Sequence, residues 1–567
     1  MAERIERDAV IAGSGGAGLS AALFAARAGL SVLLVEKENR IGGTLSWSGG
    51  GVWMPLSPQA LEAGFADSRE DVLAFLRALG EGTFDDDLLE AFVDAAPVVA
   101  KAIADTTDLK MYPIPGMGDW FTDAPGARPE GGRTLVPAAY DGKSLGKDFA
   151  RLRHPLRQFN APGGFMVDYT DVPHLDNIRH SPRSAIRMAW LYLQFLRDKR
   201  RYGRGTRLTM GNAVASAMMK AALAAGVEMW TSAPATGLLR EGDRVTGVTV
   251  QRADGPVEII ARRGVMLASG GFSANAEMRQ KYIPFADQHY SLLSPSNNGD
   301  GIQMGRDAGG RFIEKGFEHG GWVMISLVPQ ADGSVLRFPH LVADRPKPGC
   351  IAVNRAGARF TNEAALDPIG PMHATGSLPA WLICDSRFIR KYGLGAIRPA
   401  GHGLRKLVKA GYVVMAPSIA ALAAELGIDP VGLATTVARN NEFAKTGVDL
   451  DFSKGSTPGD RNLGDPRHKP NPNVGPIASS PFYGLRIYPG DSTTMLGLKV
   501  DREARVLDND DRPVPGLYAA GLDMNSMFRG RAPGGGANNG PALVFGYLAA
   551  QSMSRGLNSP PIMPPES

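Results

Sequence analysis

The first regular pattern along the chain is a short apolar run, Asp-Ala-Val-Ile-Ala at residues 8–12, that stops on Gly13-Ser14-Gly15-Gly16-Ala17-Gly18. A run of that length cut off by glycine predicts a buried strand and a turn. Ala21, Ala22, Ala25 and Ala26 then recur at helical spacing until Gly29, and Val32–Val35 predicts a second buried strand ending on Glu36. Strand, glycine turn, helix and strand in that order open a parallel α/β sheet. Further along, alternation near Val245–Val250 predicts a β-meander, and Pro541–Ala550 reads as a helix following a glycine loop.

Residues 101–205 are less patterned. Tyr112–Gly132 is rich in proline and glycine, and Ser184–Arg204 is a basic amphipathic helix rich in Arg, Trp, Leu and Tyr. Such a helix can lie on a membrane, but the expected arrangement turns Trp190, Leu193 and Leu196 into the core. The proline-rich tail Ser559–Ser567 is expected to be disordered.

At 567 residues the chain is too long for one core. The expected division is a discontinuous first domain, residues 1–290 and 480–567 with a helical insertion at about 101–205, and a substrate domain over 310–474. The active site is expected in the cleft between them.

Charge excludes little except a nucleic-acid partner: 62 Lys+Arg against 57 Asp+Glu are dispersed along the chain. Cys350 and Cys384 form neither a disulfide framework nor a CxxC motif, so a reducing compartment is expected. With neither a secretory signal pattern nor an apolar run of membrane-spanning length, the chain is expected to be cytoplasmic. His373 stands alone in the sequence, and no metal is assigned.

The glycine turn carries specific chemistry. Gly13 permits the tight turn, Gly15 lets a pyrophosphate meet the helix N-terminus, and Gly18 permits close helix-to-sheet packing. Glu36 at the end of the second strand suits both hydroxyls of an adenosine ribose.

The next segment, Glu36-Lys37-Glu38-Asn39-Arg40-Ile41-Gly42-Gly43-Thr44-Leu45-Ser46-Trp47-Ser48-Gly49-Gly50-Gly51, resembles the flavoprotein family of fumarate reductases and 3-ketosteroid dehydrogenases. Further matches are Ala268-Ser269-Gly270-Gly271, Asn298-Gly299-Asp300-Gly301, Asn354–Glu363 and Gly516–Gly521. The resemblance covers most of the chain. It implies an α/β fold: a Rossmann-type FAD-binding domain with an inserted α+β substrate (capping) domain.

FAD contacts are implied at Gly13, Gly15, Gly16, Ala17, Gly18, Glu36, Lys37, Gly42, Gly43, Thr44, Ser48, Gly49, Gly50 and Gly51. They continue at Ala235, Ala268, Ser269, Gly270, Asp300, Gly521, Gly536, Ala537, Ala542 and Leu543. Leu522 replaces the acid or amide of many relatives, which leaves Asp523 as the ribityl contact. No histidine stands in Thr44–Gly51, so FAD is expected to be held noncovalently.

Within the family, Pro533-Gly534-Gly535-Gly536-Ala537 and Gly540-Pro541-Ala542 resemble the cyclic-ketone and 3-ketosteroid dehydrogenase branch. That implies desaturation beside a ketone, with a base taking the α-proton and hydride passing to flavin N5. The backbone amide of Gly536 is the implied carbonyl donor. The tyrosine of those enzymes before Pro-Gly is Ala532 here, and Arg531 is expected to fill the gap by polarising a carbonyl or holding a carboxylate.

Asp367 and Tyr169 are candidate bases. Trp120 and Phe121 are expected to line the substrate pocket, with Trp120 narrowing it toward small cyclic ketones. The electron acceptor is left unidentified. The alternatives are an enone or fumarate-type reductase, against which Ser492-Thr493-Thr494-Met495 replaces the histidine-containing stretch, and a noncatalytic flavin-binding protein.

Overall fold

The computed structural model describes residues 3–555 except 179, 342–343 and 366, so the proline-rich tail lies outside the described residues. The chain divides into two compact units: residues 1–275, 294–319 and 494–567 form the first, and 276–293 with 320–493 the second.

The first unit is organised by an eight-stranded sheet. At its centre Glu3–Ala12 runs parallel to both Val32–Val35 and Gly255–Leu267, with Val10 opposite Leu33 and Val265. Pro513–Ala519 adds to Gly255–Leu267 in parallel, and Glu228–Trp230 to Val32–Val35. These strands are apolar without alternation because helices cover both faces, and Val10, Ile11, Leu33 and Leu34 are fully buried.

The meander predicted near Val245 is present: Ala235–Glu241, Arg244–Arg252 and the outer half of Gly255–Leu267 pair antiparallel in sequence. The last described helix, Asn539–Ser554, returns to the first, Gly16–Arg27. A Cβ at Gly546 would stand 2.5 Å from Ala17 O, so glycine sets the closeness of that crossing. Ser20 Oγ donates to Leu543 O at 2.6 Å, and Phe24 meets Tyr547 edge to face at 5.0 Å. The chain's beginning and end thus share one core.

The second unit has a seven-stranded sheet ordered Val335–His340, Gly320–Pro329, Phe482–Thr494, Ala380–Asp385, Cys350–Asn354 along its main path. The central strand Phe482–Thr494 also pairs with Tyr290–Ser291 and Val414–Ala416. Cys350 and Cys384 sit opposite each other in the antiparallel register, both buried and free.

The boundaries fall differently from those expected. Residues 276–293 join the second unit because Tyr290 and Ser291 pair with Gly490 and Asp491, and residues up to 493 follow because Phe482–Thr494 is central to that unit's sheet.

The helix expected at 184–204 spans Pro182–Tyr202, but its orientation is a second correction. Met188 and Leu191 face inward against a small cluster of Ala161, Phe165 and Val167, while Trp190, Leu193 and Leu196 are exposed. Among the described residues no helix is long and apolar enough to cross a membrane.

Candidate functional site

The first strand passes into the turn at Gly13, whose N–H donates to Val35 O at 2.8 Å. Gly13 has φ +114°, and a Cβ there would lie 2.1 Å from Ala268 O, so glycine alone is accommodated. Gly15 is the opposite case: it caps the helix at φ −71°, and nothing lies within 4 Å of a Cβ built on it. That open space belongs to a cleft beside the end of the first strand. The helix N-terminus at its edge offers backbone N–H groups and the positive end of the helix dipole.

Of the residues expected here, Gly13, Gly15, Glu36, Lys37, Gly43 and Thr44 line the cleft, together with Ala235, Ala268, Ser269, Gly270 and Asp300. Glu36 is buried and accepts from Ser14 N at 3.0 Å, Ser14 Oγ at 2.5 Å and Glu38 N at 2.8 Å. Its carboxylate is therefore fixed in place before any ligand arrives. Lys37 Nζ donates to Asp300 at 2.6 Å and to Ser296 O at 3.0 Å, so these two side chains hold each other at the rim.

Arg153 was missed by sequence reasoning. It lines the same cleft, stacks on Trp47 at 4.8 Å and is buried, and its Nε has no hydrogen-bond partner among the described residues. No local motif announces it, since 138 positions separate it from Gly15 (153 − 15).

A second cleft in the same unit is lined by Gly521, Ala537 and Ala542, and by Leu522, Asn525 and Asn538. A Cβ at Gly521 would lie 3.3 Å from Ala17 Cβ, which places this cleft beside the first helix. The C-terminal helix begins at Asn539, next to the lining residue Asn538, so its positive end is directed here.

The glycine loop leading into that helix is held from three sides. Trp53 N donates to Gly536 O at 3.2 Å, Thr134 Oγ1 to Gly535 O at 2.8 Å, and Asn539 Nδ2 to Gly51 O at 2.8 Å. Gly536 has φ +87°, and a Cβ would lie 2.5 Å from the Gly51 carbonyl. Gly51 is thus framework for this loop, while a Cβ on Gly50 would meet the Met210–Gly211 backbone and one on Gly49 the Tyr169 hydroxyl. Ser48 Oγ donates to Leu45 O and accepts from Gly50 N.

Several of the residues expected to contact FAD also bond within the framework. Asp523 is fully buried, and its carboxylate accepts from Ser269 N, Ser269 Oγ and Gly271 N, so it shapes the 269–271 turn. Burial raises its pKa, against the lowering by those hydrogen bonds. Leu543 is fully buried beside Gly16, so its side chain contributes packing; Ala17 and Gly18 are likewise buried in the first helix, and Gly42 N donates to Ser14 Oγ at 3.0 Å.

Arg531 Nη1 donates to Leu79 O at 2.9 Å and to Glu81 at 2.6 Å, and the guanidinium lies 4.0 Å from the Phe317 ring centre. It ties the glycine loop's approach to the C-terminal end of the helix Arg69–Gly80. Tyr169 OH donates to Gly49 O at 3.2 Å, and its pKa is raised by burial and by neighbouring Tyr112.

Asp367 is exposed and accepts from Ile369 N and Gly370 N, capping the helix that starts at Ile369. Trp120 N donates to Pro533 O at 2.9 Å, which fixes that loop on the glycine loop, and the side chains of Trp120 and Phe121 are exposed. His373 is not alone: it lies 5.5 Å from His289 and 5.2 Å from Trp322, ring centre to ring centre. Burial, with a smaller effect of His289, lowers its pKa to about 4. No group of metal-ligating side chains occurs among the described residues.

A turn open only at Gly15, an acid at the second strand's end and a second cleft beside the same helix describe a dinucleotide site. The FAD binding domain family matches residues 8–538. The chain belongs to this flavoprotein family. The flavoprotein is 37% identical over 558 residues to the 4-oxocyclohex-2-ene-1-carboxylate 5-dehydrogenase of Sinomonas cyclohexanicum, covering 97% of this chain and 94% of that one. It is 34% identical to the 3-oxosteroid 1-dehydrogenase of Mycobacterium tuberculosis, over 96% and 98% of the two chains.

The structure of 3-ketosteroid delta1-dehydrogenase from Sterolibacterium denitrificans superposes with a TM-score of 0.88 at 33% identity, covering 97% and 99%. FAD is the cofactor of this flavoprotein. The residues present fit it: the buried Arg153 Nε supplies an unsatisfied cationic donor for an anionic group, and the Gly15 turn leaves the space a pyrophosphate needs.

Proposed function

We propose that the flavoprotein desaturates a cyclic ketone at the bond beside its carbonyl. The observation that carries this is the glycine loop Pro533–Ala537, locked by Trp53, Thr134 and Asn539 next to the second cleft, in a chain 37% identical to a cyclic-ketone dehydrogenase. FAD, when bound, accepts the hydride at N5.

The chain's own contribution is positional. The backbone N–H of Gly536 donates to the substrate carbonyl, and the C-terminal helix directs its positive end toward charge that develops nearby. The α-proton goes to a base, for which Tyr169, hydrogen-bonded to Gly49 O, is the candidate. Trp120 and Phe121, exposed on a loop anchored to Pro533, set the size of substrate admitted. FAD is held noncovalently, because Thr44–Gly51 offers no histidine for attachment. A fumarate-type reductase is disfavoured, since Ser492–Met495 brings no histidine to hold a dicarboxylate.

The test is anaerobic titration of the FAD-loaded protein with cyclohexanone carboxylates, unsubstituted cyclic ketones and 3-ketosteroids, followed by the visible flavin absorbance. Bleaching by a cyclic ketone, with the conjugated enone as product, is the expected result. If none of these reduces the flavin while an enone or fumarate reoxidises the chemically reduced protein, the reductase reading replaces this one. Acid precipitation is expected to release all the flavin.

A further inference from the structure

We infer that the helix Pro182–Tyr202 docks the protein on an anionic lipid surface. The helix has two unlike faces. Ser184, Met188, Leu191 and Asp198 are buried, and Met188 and Leu191 enter the small cluster with Ala161, Phe165 and Val167. On the opposite face Ile186 is 70% exposed, Trp190 53%, Leu193 64% and Leu196 43%. Their spacing of three and four residues places them in one stripe along the helix. Four large apolar side chains in a row, open to solvent, form the kind of patch that a soluble surface rarely leaves uncovered.

Charge decides what covers it. The helix carries six cations, Arg183, Arg187, Arg197, Lys199, Arg200 and Arg201, against a single acid, Asp198. Asp198 is buried, accepts from Thr206 Oγ1 at 2.6 Å and pairs with Arg197 at 3.4 Å. Arg187 is paired with Asp171 at 3.0 Å and Arg197 with Asp198, so the stripe of a second copy, laid on this one in either direction, sets Arg183, Lys199, Arg200 and Arg201 against the same cations. An anionic bilayer neutralises them while taking the apolar stripe into the boundary between headgroups and acyl chains.

The aromatic residues fit that depth. Trp190 lies beside the Arg187 guanidinium at 5.5 Å, and Arg201 lies 5.5 Å from the Tyr202 ring, so apolar bodies and cationic heads are already paired side by side. Since no described helix is of spanning length and apolarity, the contact lies in the surface plane. The inference stands on this surface alone, whichever ketone is the substrate.

The experiment is flotation of the full FAD-loaded chain with vesicles of phosphatidylcholine alone and of phosphatidylcholine mixed equally with phosphatidylglycerol. Sedimentation velocity without lipid runs alongside. Wild type is expected to float with the mixed vesicles, to be released by salt, and to remain behind with phosphatidylcholine alone. Trp190→Glu with Leu193→Glu is expected to abolish flotation, and Arg197→Glu with Arg200→Glu to weaken it by about tenfold or more. Both variants are exposed substitutions, and an unchanged flavin spectrum and melting temperature verify the fold. Failure of wild type to float with either vesicle overturns the inference. So does self-association that the Trp190 and Leu193 substitutions remove, since that assigns the stripe to a second copy. Flotation that persists in both double variants overturns it as well, by locating the lipid contact elsewhere.

Discussion

Substitution of Gly15 by alanine separates the fold from the cofactor site. A Cβ on Gly15 meets no atom within 4 Å, and the residue's φ of −71° is one that alanine adopts freely. The variant is therefore expected to fold with a melting temperature close to wild type. The methyl group stands in the cleft where a pyrophosphate must approach the helix N-terminus. Displacing it weakens charge-assisted hydrogen bonds worth about 1.5–3 kcal/mol, or on the order of 10- to 150-fold in Kd. Gly13→Ala is the control of opposite kind. At φ +114° and 2.1 Å from Ala268 O, its Cβ costs about 3–5 kcal/mol in strain and overlap and is expected to unfold the first strand's turn. Titration of apoprotein with FAD, followed by quenching of flavin fluorescence, measures the first effect, and thermal unfolding the second. If Gly15→Ala binds FAD within about twofold of wild type, the phosphates do not run past this helix and the site is drawn wrongly.

Arg531→Ala is expected to cost about 1 kcal/mol of stability through loss of the Leu79 and Glu81 contacts, and to change substrate-dependent flavin reduction by less than about threefold. A hundredfold loss of rate in stopped flow would return Arg531 to the substrate. Trp120→Ala, at an exposed position, is expected to leave stability within about 0.5 kcal/mol and to raise kcat/KM for 3-ketosteroids relative to small cyclic ketones; an unchanged ratio removes Trp120 from the pocket. Burial, with a smaller effect of His289, lowers the pKa of His373 to about 4. The unfolded chain therefore takes up a proton below pH ~6.5 that the folded chain refuses until about 4, so stability present above pH ~6.5 is lost as pH falls through that window. Discounted for partial exposure, this amounts to about 1 kcal/mol, and His373→Gln is expected to flatten the melting temperature between those limits.

The parts legible in the sequence are those whose cause is local. Gly13 and Gly18 are required by atoms of their own turn and of the strand beside it, and the run Val32–Val35 is apolar because it is covered on both faces. The limits of the first domain were not legible, because they depend on Tyr290 and Ser291 pairing with residues 200 positions away (490 − 290). Arg153 was invisible for the same reason, having no motif of its own.

Arg531 shows the sharper limit. Its place five residues before Gly536 was read correctly as nearness along the chain, but nearness does not fix direction (536 − 531). The side chain is drawn away from the loop by Glu81, 450 positions earlier, and by the ring of Phe317. The helix Pro182–Tyr202 makes the same point about period. Its apolar spacing revealed an amphipathic helix, yet two apolar sets share that spacing, and only Met188 and Leu191 find a core to enter. Which of two apolar faces is covered is a property of the neighbours, so the periodicity that predicts the helix is silent about the face left free. Where the free face also carries the cations, the silence conceals a surface with a partner of its own.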